Sequence, residues 1–563
     1  MTTDAARPWL DSYAPGVPHD IDEQTTSLTD LIQLSVEQYP DNVALEFFGK
    51  TTTYAELGDQ IERAAEGLRA LGLQKGDPVA IILPNCQQHV VAFYAVLRVG
   101  GIVIEHNPLY TPRELRHQFE EHGAKFAITW DKVVGSLQHF PADLHVDHIV
   151  SVDMTREMSL VTRTLLRLPI KRAREQREAL TTQVRGTTHW SDLVKSDRIS
   201  ATEPRPSVED VAVIQYTSGT TGHPKGATLT HLNLAANAAQ ARAWVPTVER
   251  GTSVVYAVLP LFHAYGLTLC LTFAMSMGAR LVLFPRFDPD LVLTVIKKRP
   301  PTFLPAVPPI YERLQARAKE KGVSLAGIQI AISGAMPLRA SVVEPWEAET
   351  SGFLVEGYGL SETSPVLMAN PVYKSRIAGT VGLPLPSTLV RVVDPENPTV
   401  VVPRGERGEL VVRGPQVMSG YWNKPEETAE VFADGWFRTG DIVTIDDAGF
   451  IRIVDRIKEL IITGGFNVSP TEVEEALNKF PGIAEVAVIG MPSAHSGEDV
   501  TAAVVLEKGA SLDEKAIAAF ARETLTAYKV PRHFYVVEEL PKSLIGKVLR
   551  RKVRDELEAR LAK

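Results

Sequence analysis

Short apolar runs alternate with amphipathic segments in the first part of the chain and again over residues 211–355. In the first part, apolar residues with helical spacing over 54–68 precede the apolar run 79–83, and the same rhythm continues to residue 128. Runs that are apolar on both faces are typical of parallel strands covered by helices. The alternation therefore predicts an α/β fold whose large N-terminal part has two α/β halves.

The pattern changes after residue 379. Over 379–454, short β-rich runs are separated by glycine and proline turns, which predicts a small antiparallel sheet or a β-barrel subdomain. Beyond Asp455, Ser469 and Glu472 have the spacing of a helix capping box, so a separate α+β unit is expected there. The expected organisation is an N-terminal domain over 1–454, a hinge over 455–458 and a C-terminal domain over 459–563.

Composition excludes several classes of protein. The chain has 59 lysine and arginine residues against 68 aspartate and glutamate residues, a net charge of −9, so we expect no nucleic-acid partner. Its two cysteines, Cys86 and Cys270, cannot form a disulfide framework or a zinc cluster, and the start of the chain lacks the apolar region of a secretory signal. A cytoplasmic protein is expected, either a monomer or a homodimer.

Two segments raise the question of membranes. Residues 253–279 carry no Asp, Glu, Lys or Arg, but Pro260 and His263 interrupt them, so a buried strand, loop and helix are expected instead of a membrane span. Residues 156–185 hold eight basic and three acidic residues among scattered leucines. This segment is either a surface excursion whose leucines pack on the domain, or a peripheral contact with an anionic membrane surface.

A glycine-rich and hydroxyl-rich segment follows the apolar run 211–214. Its glycines let the backbone approach an anion, its hydroxyls and amides can surround phosphate oxygens, and Lys225 adds a positive charge. The spacing is not that of a Walker loop, because Lys225 comes three residues after the last glycine and no Ser or Thr follows it. The predicted phosphate-binding residues are Thr217, Ser218, Gly219, Thr220, Thr221 and Gly222.

With the motifs that follow it, this loop resembles the adenylate-forming superfamily of acyl-CoA synthetases, aryl-CoA ligases, luciferases and nonribosomal adenylation domains, and most of all the bacterial long-chain fatty acid–CoA ligases. The resemblance extends from residues 53–57 to Gly546-Lys547, with the motifs in family order. It implies ATP, Mg²⁺ and coenzyme A as cofactors and cosubstrates.

The resemblance also implies roles for individual residues. Tyr358 would stack on adenine, Asp441 would accept the ribose hydroxyls, and Arg456 would reach the nucleotide. Glu362 and Thr217 would be the magnesium ligands. The remaining adenine and ribose positions would be Gly334, Ala335, Glu356, Gly357 and Ser361, the last standing where threonine is commoner.

The C-terminal motifs carry the rest of the implied machinery. Lys547 would reach the carboxylate and the α-phosphate, and would act with Lys225 and Glu362 as a catalytic residue. Lys458 would be the pivot at which the small domain turns. Gly464, Gly465 and Phe466 would line the path of coenzyme A. Ile545 replaces the usual small hydroxyl residue, which affects the local loop contacts and leaves the role of the lysine intact.

The substrate class follows from the motif around His263. Amino-acid-activating relatives carry an aspartate there, and without it a substrate ammonium group would be buried unpaired. The implied acyl pocket is apolar and contains His263, Tyr265, Val307 and Val355, which favours a fatty acid of medium to long chain.

The expected reaction converts this acid to acyl-AMP and then to acyl-CoA, releasing pyrophosphate and AMP. The alternatives are an aryl-CoA ligase, an acyl-AMP ligase and, in another class, a non-catalytic sensor that binds acyl-adenylate.

Overall fold

The computed structural model describes residues 7–217, 224–463, 466–493, 497–543 and 546–561, with the backbone alone at 458, 466, 467 and 497. Strands make up most of its framework. They are β1 (Val43–Phe47), β2 (Lys50–Thr53), β3 (Pro78–Ile82), β4 (Ile102–Glu105), β5 (Phe126–Trp130), β6 (His148–Val152), β7 (Thr188–His189), β8 (Val211–Thr217), β9 (Lys225–Thr230), β10 (Val254–Ala257), β11 (Arg280–Leu283), β12 (Phe303–Ala306), β13 (Ile330–Ser333), β14 (Phe353–Gly359), β15 (Val366–Ala369), β16 (Leu383–Pro384), β17 (Leu389–Val393), β18 (Gly408–Arg413), β19 (Gly420–Tyr421), β20 (Phe432–Ala433), β21 (Trp436–Ile445), β22 (Ile451–Arg456), β23 (Ile461–Thr463), β24 (Phe466–Val468), β25 (Ile483–Ser493), β26 (Gly497–Leu506) and β27 (His533–Val536).

Helices cover the sheets. They are α1 (Leu28–Gln38), α2 (Tyr54–Ala70), α3 (Gln87–Val99), α4 (Pro112–His122), α5 (Val134–Gln138), α6 (Leu160–Leu166), α7 (Lys171–Leu180), α8 (Trp190–Leu193), α9 (His231–Trp244), α10 (Ala264–Gly266), α11 (Phe273–Ser276), α12 (Pro289–Ile296), α13 (Pro308–Lys321), α14 (Ala340–Thr350), α15 (Pro425–Val431), α16 (Pro470–Leu477), α17 (Glu514–Ala521) and α18 (Arg550–Leu561). Short 3₁₀ turns include Ser361–Thr363 and Ile457–Glu459, and a π-helical turn covers Leu267–Thr272.

Two large sheets take their strands from the first 385 or so residues, apart from β19 (Gly420–Tyr421), as the alternation of strands and helices predicts. One has the order β16-β15-β14-β13-β12-β10-β11-β1-β2, and the other β19-β9-β8-β4-β3-β5-β6-β7. Their central strands run parallel, and antiparallel pairs occur toward the edges. The predicted α/β class with two halves is therefore confirmed.

Two smaller sheets complete the fold. Strands β17, β18, β21, β20 and β22 pair antiparallel within the β-rich stretch. A mixed sheet of β24, β23, β26, β25 and β27 follows it. Its apolar clusters begin at Ile461 and are separate from the main core, which extends from Trp9 to Ile451.

Helix starts follow the capping signals in the sequence. Thr53 and Glu56 form a reciprocal capping box at α2. At α16, Ser469 accepts the backbone N–H of Glu472 at 3.0 Å, as predicted. The second half of that predicted box is not formed, because the Glu472 carboxylate pairs with Lys529 Nζ at 2.6 Å.

The uncharged segment 253–279 is a buried strand, turn and helix, as expected from its interruptions. It forms β10, α10, the π-helical turn and α11, and almost all of its side chains are buried. Among the described residues, no helix combines the length and the apolarity needed to cross a bilayer.

The basic segment 156–185 contains the helices α6 and α7 on the surface. Of its six apolar residues between 160 and 170, only Leu166 is buried, and the other five are 41% to 77% exposed. The interpretation in which these leucines pack on the domain is wrong for all but Leu166, because only the face of α6 that carries this residue meets the core.

Candidate active site

The predicted phosphate-binding segment lies between two paired strands. Thr217 ends β8 and pairs with Lys225, the first residue of β9. The predicted residues Ser218, Gly219, Thr220, Thr221 and Gly222 lie outside the described residues. The register nevertheless places the Thr217 and Lys225 backbones side by side at the two ends of the loop, as a shared role at phosphate requires.

Tyr421 links this hairpin to Glu362. It lies on β19, which pairs with β9, and the Lys225 ammonium lies 5.1 Å from the centre of its ring. Its hydroxyl donates to Glu362 Oε1 at 2.9 Å. The Glu362 carbonyl accepts the backbone N–H of Met418 at 2.8 Å, so the 3₁₀ turn that carries Ser361 and Glu362 is held from both sides.

The Glu362 carboxylate is chemically suited to hold a magnesium ion together with substrate phosphates. Burial raises the pKa of Glu362, while the bond from Tyr421 favours its charged form. No group of three or more His, Cys, Asp or Glu side chains in the described part of the chain could enclose a metal. Mg²⁺ in proteins is commonly bound by one or two carboxylates together with substrate phosphates and water, so a single carboxylate is sufficient here.

Asp441 is held between a tyrosine and an arginine. Its side chain is buried, the Tyr358 hydroxyl donates to Oδ2, and Arg456 Nε lies 2.9 Å from Oδ1. The Asp441 backbone N–H donates to Thr439 Oγ1 at 3.1 Å, which fixes the strand at this point. A carboxylate has about four lone-pair sites, so both oxygens can still accept hydroxyl groups of a ligand.

Lys547 reaches the same region from the end of the chain. A Cβ on the preceding Gly546 would lie 3.5 Å from Met336 Sδ and 3.6 Å from Pro309 Cγ, so this loop rests on the large sheet unit. Burial lowers the pKa of Lys547 to about 8, and the positive charge of Arg456 adds to the shift. The side chain is therefore mostly charged at neutral pH and close to its titration range.

The proposed adenine loop follows β13. A Cβ on Gly334 would lie 3.0 Å from the Tyr265 ring, so only glycine fits without displacing that ring, and Ala335 has a left-handed φ of 66°. On the neighbouring strand β14, Glu356 and Gly357 precede Tyr358. Burial raises the pKa of Glu356 to about 8, so this carboxyl group is mainly neutral at pH 7.

Two of the acyl-pocket candidates lie in or next to the strands that flank β13. Val307 follows β12, Val355 lies on β14 opposite Ile332, and both are buried. The Tyr265 hydroxyl donates to the carbonyl of Ile332 at 2.6 Å, which ties it to the sheet. Burial lowers the pKa of His263 to about 4, so its imidazole is neutral.

Hydrogen bonding also selects the tautomer of His263. The backbone N–H of Tyr265 donates to His263 Nδ1 at 3.2 Å. Nδ1 is then an acceptor, and the neutral ring carries its proton on Nε2. His263 can therefore donate one hydrogen bond to a ligand oxygen.

The predicted hinge and the predicted coenzyme A path lie only partly within the described residues. Lys458 lies in the 3₁₀ turn Ile457–Glu459 and is described by its backbone. Gly464 and Gly465 lie outside the described residues, and Phe466 is described by its backbone at the start of β24.

Sequence reasoning missed two residues that support the site. Tyr421 orients Glu362, and Thr439 bonds to the backbone of Asp441. Thr439 lies two residues before the predicted Asp441, so its hydroxyl was open to prediction from the sequence. Tyr421 carries no comparable signal, because its contact depends on the pairing of β19 with β9.

Comparison with known proteins agrees with this arrangement. The AMP-binding enzyme family matches residues 32–422, and the AMP-binding enzyme C-terminal domain matches residues 472–547. A long-chain-fatty-acid–CoA ligase of Bacillus subtilis (strain 168) is 40% identical over 559 residues, which cover 98% of each chain. A feruloyl-CoA synthase of Amycolatopsis sp is 33% identical over 521 residues, which cover 92% of this chain and 96% of the other.

Solved structures show the same fold. The ATP-bound MatB of Rhodopseudomonas palustris has a TM-score of 0.80 and 32% sequence identity, covering 94% of this chain and 99% of its own. The resemblance inferred from the motifs is thus confirmed along nearly the whole chain. Because two family domains match in order and full-length relatives exceed 30% identity, the chain belongs to the AMP-binding enzyme family.

Proposed function

We propose that this protein is an AMP-forming fatty acid–CoA ligase. It activates a fatty acid with ATP and transfers the acyl group to coenzyme A. The observation that carries the proposal is that Lys547 lies close to the Tyr358–Asp441–Arg456 group. A cation that can neutralise phosphate charge thus lies beside a carboxylate that can accept the ribose hydroxyls of a nucleotide. The similarity to a long-chain-fatty-acid–CoA ligase, 40% identical along nearly the whole chain, supports the same reaction.

In the first half-reaction, a carboxylate oxygen of the fatty acid attacks the α-phosphorus of ATP and pyrophosphate leaves. Tyr358 and Asp441 hold the adenosine, the first by its ring and the second by its carboxylate. Lys547 and Lys225 place positive charge where negative charge grows on the phosphates, a preorganised form of transition-state stabilisation.

Magnesium, when bound, would neutralise phosphate charge and orient the leaving pyrophosphate. Glu362 and Thr217 are the residues that would hold it. Tyr421 keeps the Glu362 carboxylate in place through its 2.9 Å hydrogen bond.

The acid-binding end suits a carboxylate with an apolar tail. Neutral His263 offers an Nε2–H donor, and no carboxylate at that position can pair with a substrate ammonium. Val307, which follows β12, and Val355, within β14, are buried and apolar. An alkyl chain gains about 0.8 kcal/mol for each CH₂ that it buries, which favours fatty acids of medium to long chain.

In the second half-reaction, the thiol of coenzyme A attacks the acyl carbon, AMP leaves, and the thiol proton passes to solvent. Movement at Lys458 would withdraw Lys547 and bring Gly464, Gly465 and Phe466 to the thiol. The position of Lys458, in a short turn between the β-rich sheet and the last sheet, supports this role.

The reaction is tested by measuring AMP release with oleate and with coumarate, each with and without coenzyme A. We expect oleate to be preferred and sustained turnover to need coenzyme A. A preference for coumarate would indicate an aryl-CoA ligase, which the similarity to a feruloyl-CoA synthase makes the second candidate. Equal turnover without coenzyme A would contradict thioester formation.

Catalysis, as opposed to adenylate binding alone, is tested at Lys547. We expect Lys547→Ala to lower ATP–pyrophosphate exchange by roughly 100-fold or more. Lys542→Ala is the matched control, because Lys542 is exposed in the same segment and pairs with Glu485 at 2.6 Å. Unchanged exchange in Lys547→Ala would contradict the catalytic role of this lysine. Absence of exchange in the unsubstituted protein would instead favour a non-catalytic sensor.

A further inference from the structure

A hairpin of two short helices displays a concentrated apolar surface. The hairpin is defined here as residues 160–180, comprising α6 and α7. Five of the fifteen large apolar side chains that are exposed in the described residues fall within its first eleven residues. They are Leu160 (77% exposed), Val161 (70%), Leu165 (56%), Leu168 (41%) and Ile170 (54%).

The hairpin is anchored, so this surface is a built feature of the molecule. Leu166 and Ala173 are buried beneath it. Thr162 Oγ1 donates to the carbonyl of Phe48 at 3.3 Å near its start. Near its end, Trp130 Nε1 donates to the carbonyl of Leu180 at 2.8 Å. The exposed apolar side chains are therefore held outward by contacts on both flanks.

Basic side chains surround the apolar residues. Within the hairpin, Lys171 pairs only with Glu175, at a long 3.8 Å. The other basic residues of the hairpin make no ion pair within the described part of the chain; they are Arg163, Arg167, Arg172, Arg174 and Arg177. Unpaired guanidinium groups beside exposed leucines suit a partner that is both negatively charged and apolar.

The charge of the whole chain indicates which partner fits. Segment 156–185 carries eight basic and three acidic residues, a net charge of +5. Because the whole chain has a net charge of −9, the rest of the chain carries −14. An anionic surface attracts this segment and repels the remainder, which orients the molecule with the hairpin toward that surface. A second copy docking through the same patch would place two such positive surfaces against each other.

We propose that the hairpin 160–180 docks this protein peripherally on an anionic lipid bilayer. The leucines enter the headgroup region, and the arginines lie at the level of the lipid phosphates. This inference goes beyond the proposed reaction, because it rests on the surface of the hairpin and holds for any acid that the enzyme activates.

The test uses the full chain and sedimentation with phosphatidylcholine vesicles, with and without phosphatidylglycerol. We expect salt-sensitive binding to the vesicles that contain phosphatidylglycerol and little binding to phosphatidylcholine alone. One variant, Leu160→Ser/Val161→Ser/Leu165→Ser, removes apolar surface, and another, Arg167→Glu/Arg172→Glu/Arg174→Glu, reverses charge. Each should weaken binding roughly tenfold or more.

The controls separate docking from folding and catalysis. Val400→Ser/Val401→Ser changes two exposed valines (48% and 55% exposed) outside the hairpin and should bind as the unchanged protein does. All variants should keep their turnover with octanoate in solution. The proposal is overturned by absent binding of the unchanged protein, by equal binding to both vesicle types, or by unweakened binding of the hairpin variants. Hairpin-dependent dimerisation without vesicle binding would instead assign the surface to a second copy.

Discussion

At the level of single residues, burial lowers the pKa of both Lys547 and His263, with different results for their charge. The pKa of Lys547 falls to about 8, which leaves an ammonium group at neutral pH. The pKa of His263 falls to about 4, which leaves a neutral ring. One side chain can thus stabilise phosphate charge, while the other can donate a hydrogen bond to the acid.

The pH dependence of adenylation tests the state of Lys547. Because the charged form is the active one, kcat/KM for ATP–pyrophosphate exchange should fall as pH rises through about 8. The fall in kcat should lie at higher pH, because bound phosphates favour the ammonium. The arginine of Lys547→Arg stays charged over this pH range. This variant should be less active overall, and its kcat/KM should not fall as the pH rises through about 8. An identical profile in both proteins would assign the fall to another group.

Tyr421 offers a second test at this scale. Tyr421→Phe removes the hydroxyl that positions Glu362 and keeps the ring beside Lys225. The Mg²⁺ concentration for half-maximal activity should rise roughly tenfold, because residues that orient a metal ligand affect affinity by about that factor or more. Titration of activity with MgCl₂ measures the change. An unaltered requirement would mean that Glu362 does not depend on Tyr421.

At the level of elements, the turn from β14 to β15 places several site residues through close backbone contact. Tyr358 lies near the end of β14, and Glu362 lies in the following 3₁₀ turn. A Cβ on the intervening Gly359 would lie only 1.8 Å from the carbonyl oxygen of Pro365. Glycine therefore permits the approach on which the spacing of Tyr358 and Glu362 depends.

We expect Gly359→Ala to disturb both stability and nucleotide binding. Forcing the two backbones apart should cost about 2 kcal/mol or more and raise the KM for ATP. Gly135→Ala is the matched control, since its Cβ meets nothing within 4 Å and Gly135 lies in helix α5. Thermal melting and initial rates measure both effects. If the two variants had the same melting temperature and the same KM for ATP, β15 would be able to move away from the added methyl group at little cost.

At the level of the whole molecule, the C-terminal unit contributes Lys547 yet has apolar cores of its own. Its last helix is tied to the unit by Arg550, which pairs with Glu459 and, at 2.6 Å, with Glu474. The position of Gly546 beside Met336 and Pro309 brings Lys547 toward the proposed nucleotide site. This arrangement suits the adenylation half-reaction, and the proposed movement at Lys458 would give a different one for the thioester half-reaction.

Restricting the backbone at Lys458 tests the second arrangement. Lys458→Pro limits the φ angle at the proposed pivot, whereas Lys458→Ala leaves it free. We expect the proline variant to keep pyrophosphate exchange within about threefold and to lose most acyl-CoA formation, so the two half-reactions separate. The alanine variant should retain both. A pivot at this residue would be contradicted if the proline variant lost both half-reactions equally, or if it retained both.

Much of the fold and the family could be predicted from local signals. The alternation of strands and helices, the caps of α2 and α16, and the interrupted segment 253–279 all act over a few residues. The contact of Tyr421 with Glu362 could not be predicted in this way, because 59 residues separate them and a strand pairing brings them together. Glu472 departed from its capping pattern because Lys529, distant in sequence, is a stronger partner.

The amino-acid sequence by itself determined the α/β class, the order of the motifs and the chemical type of each site residue, because propensity, periodicity and side-chain chemistry are local properties. Only the tertiary structure decided which of these residues meet, how far burial shifts their pKa values, and which leucines of the basic hairpin face outward. These features depend on long-range packing, where desolvation and contact are set by neighbours from distant parts of the chain.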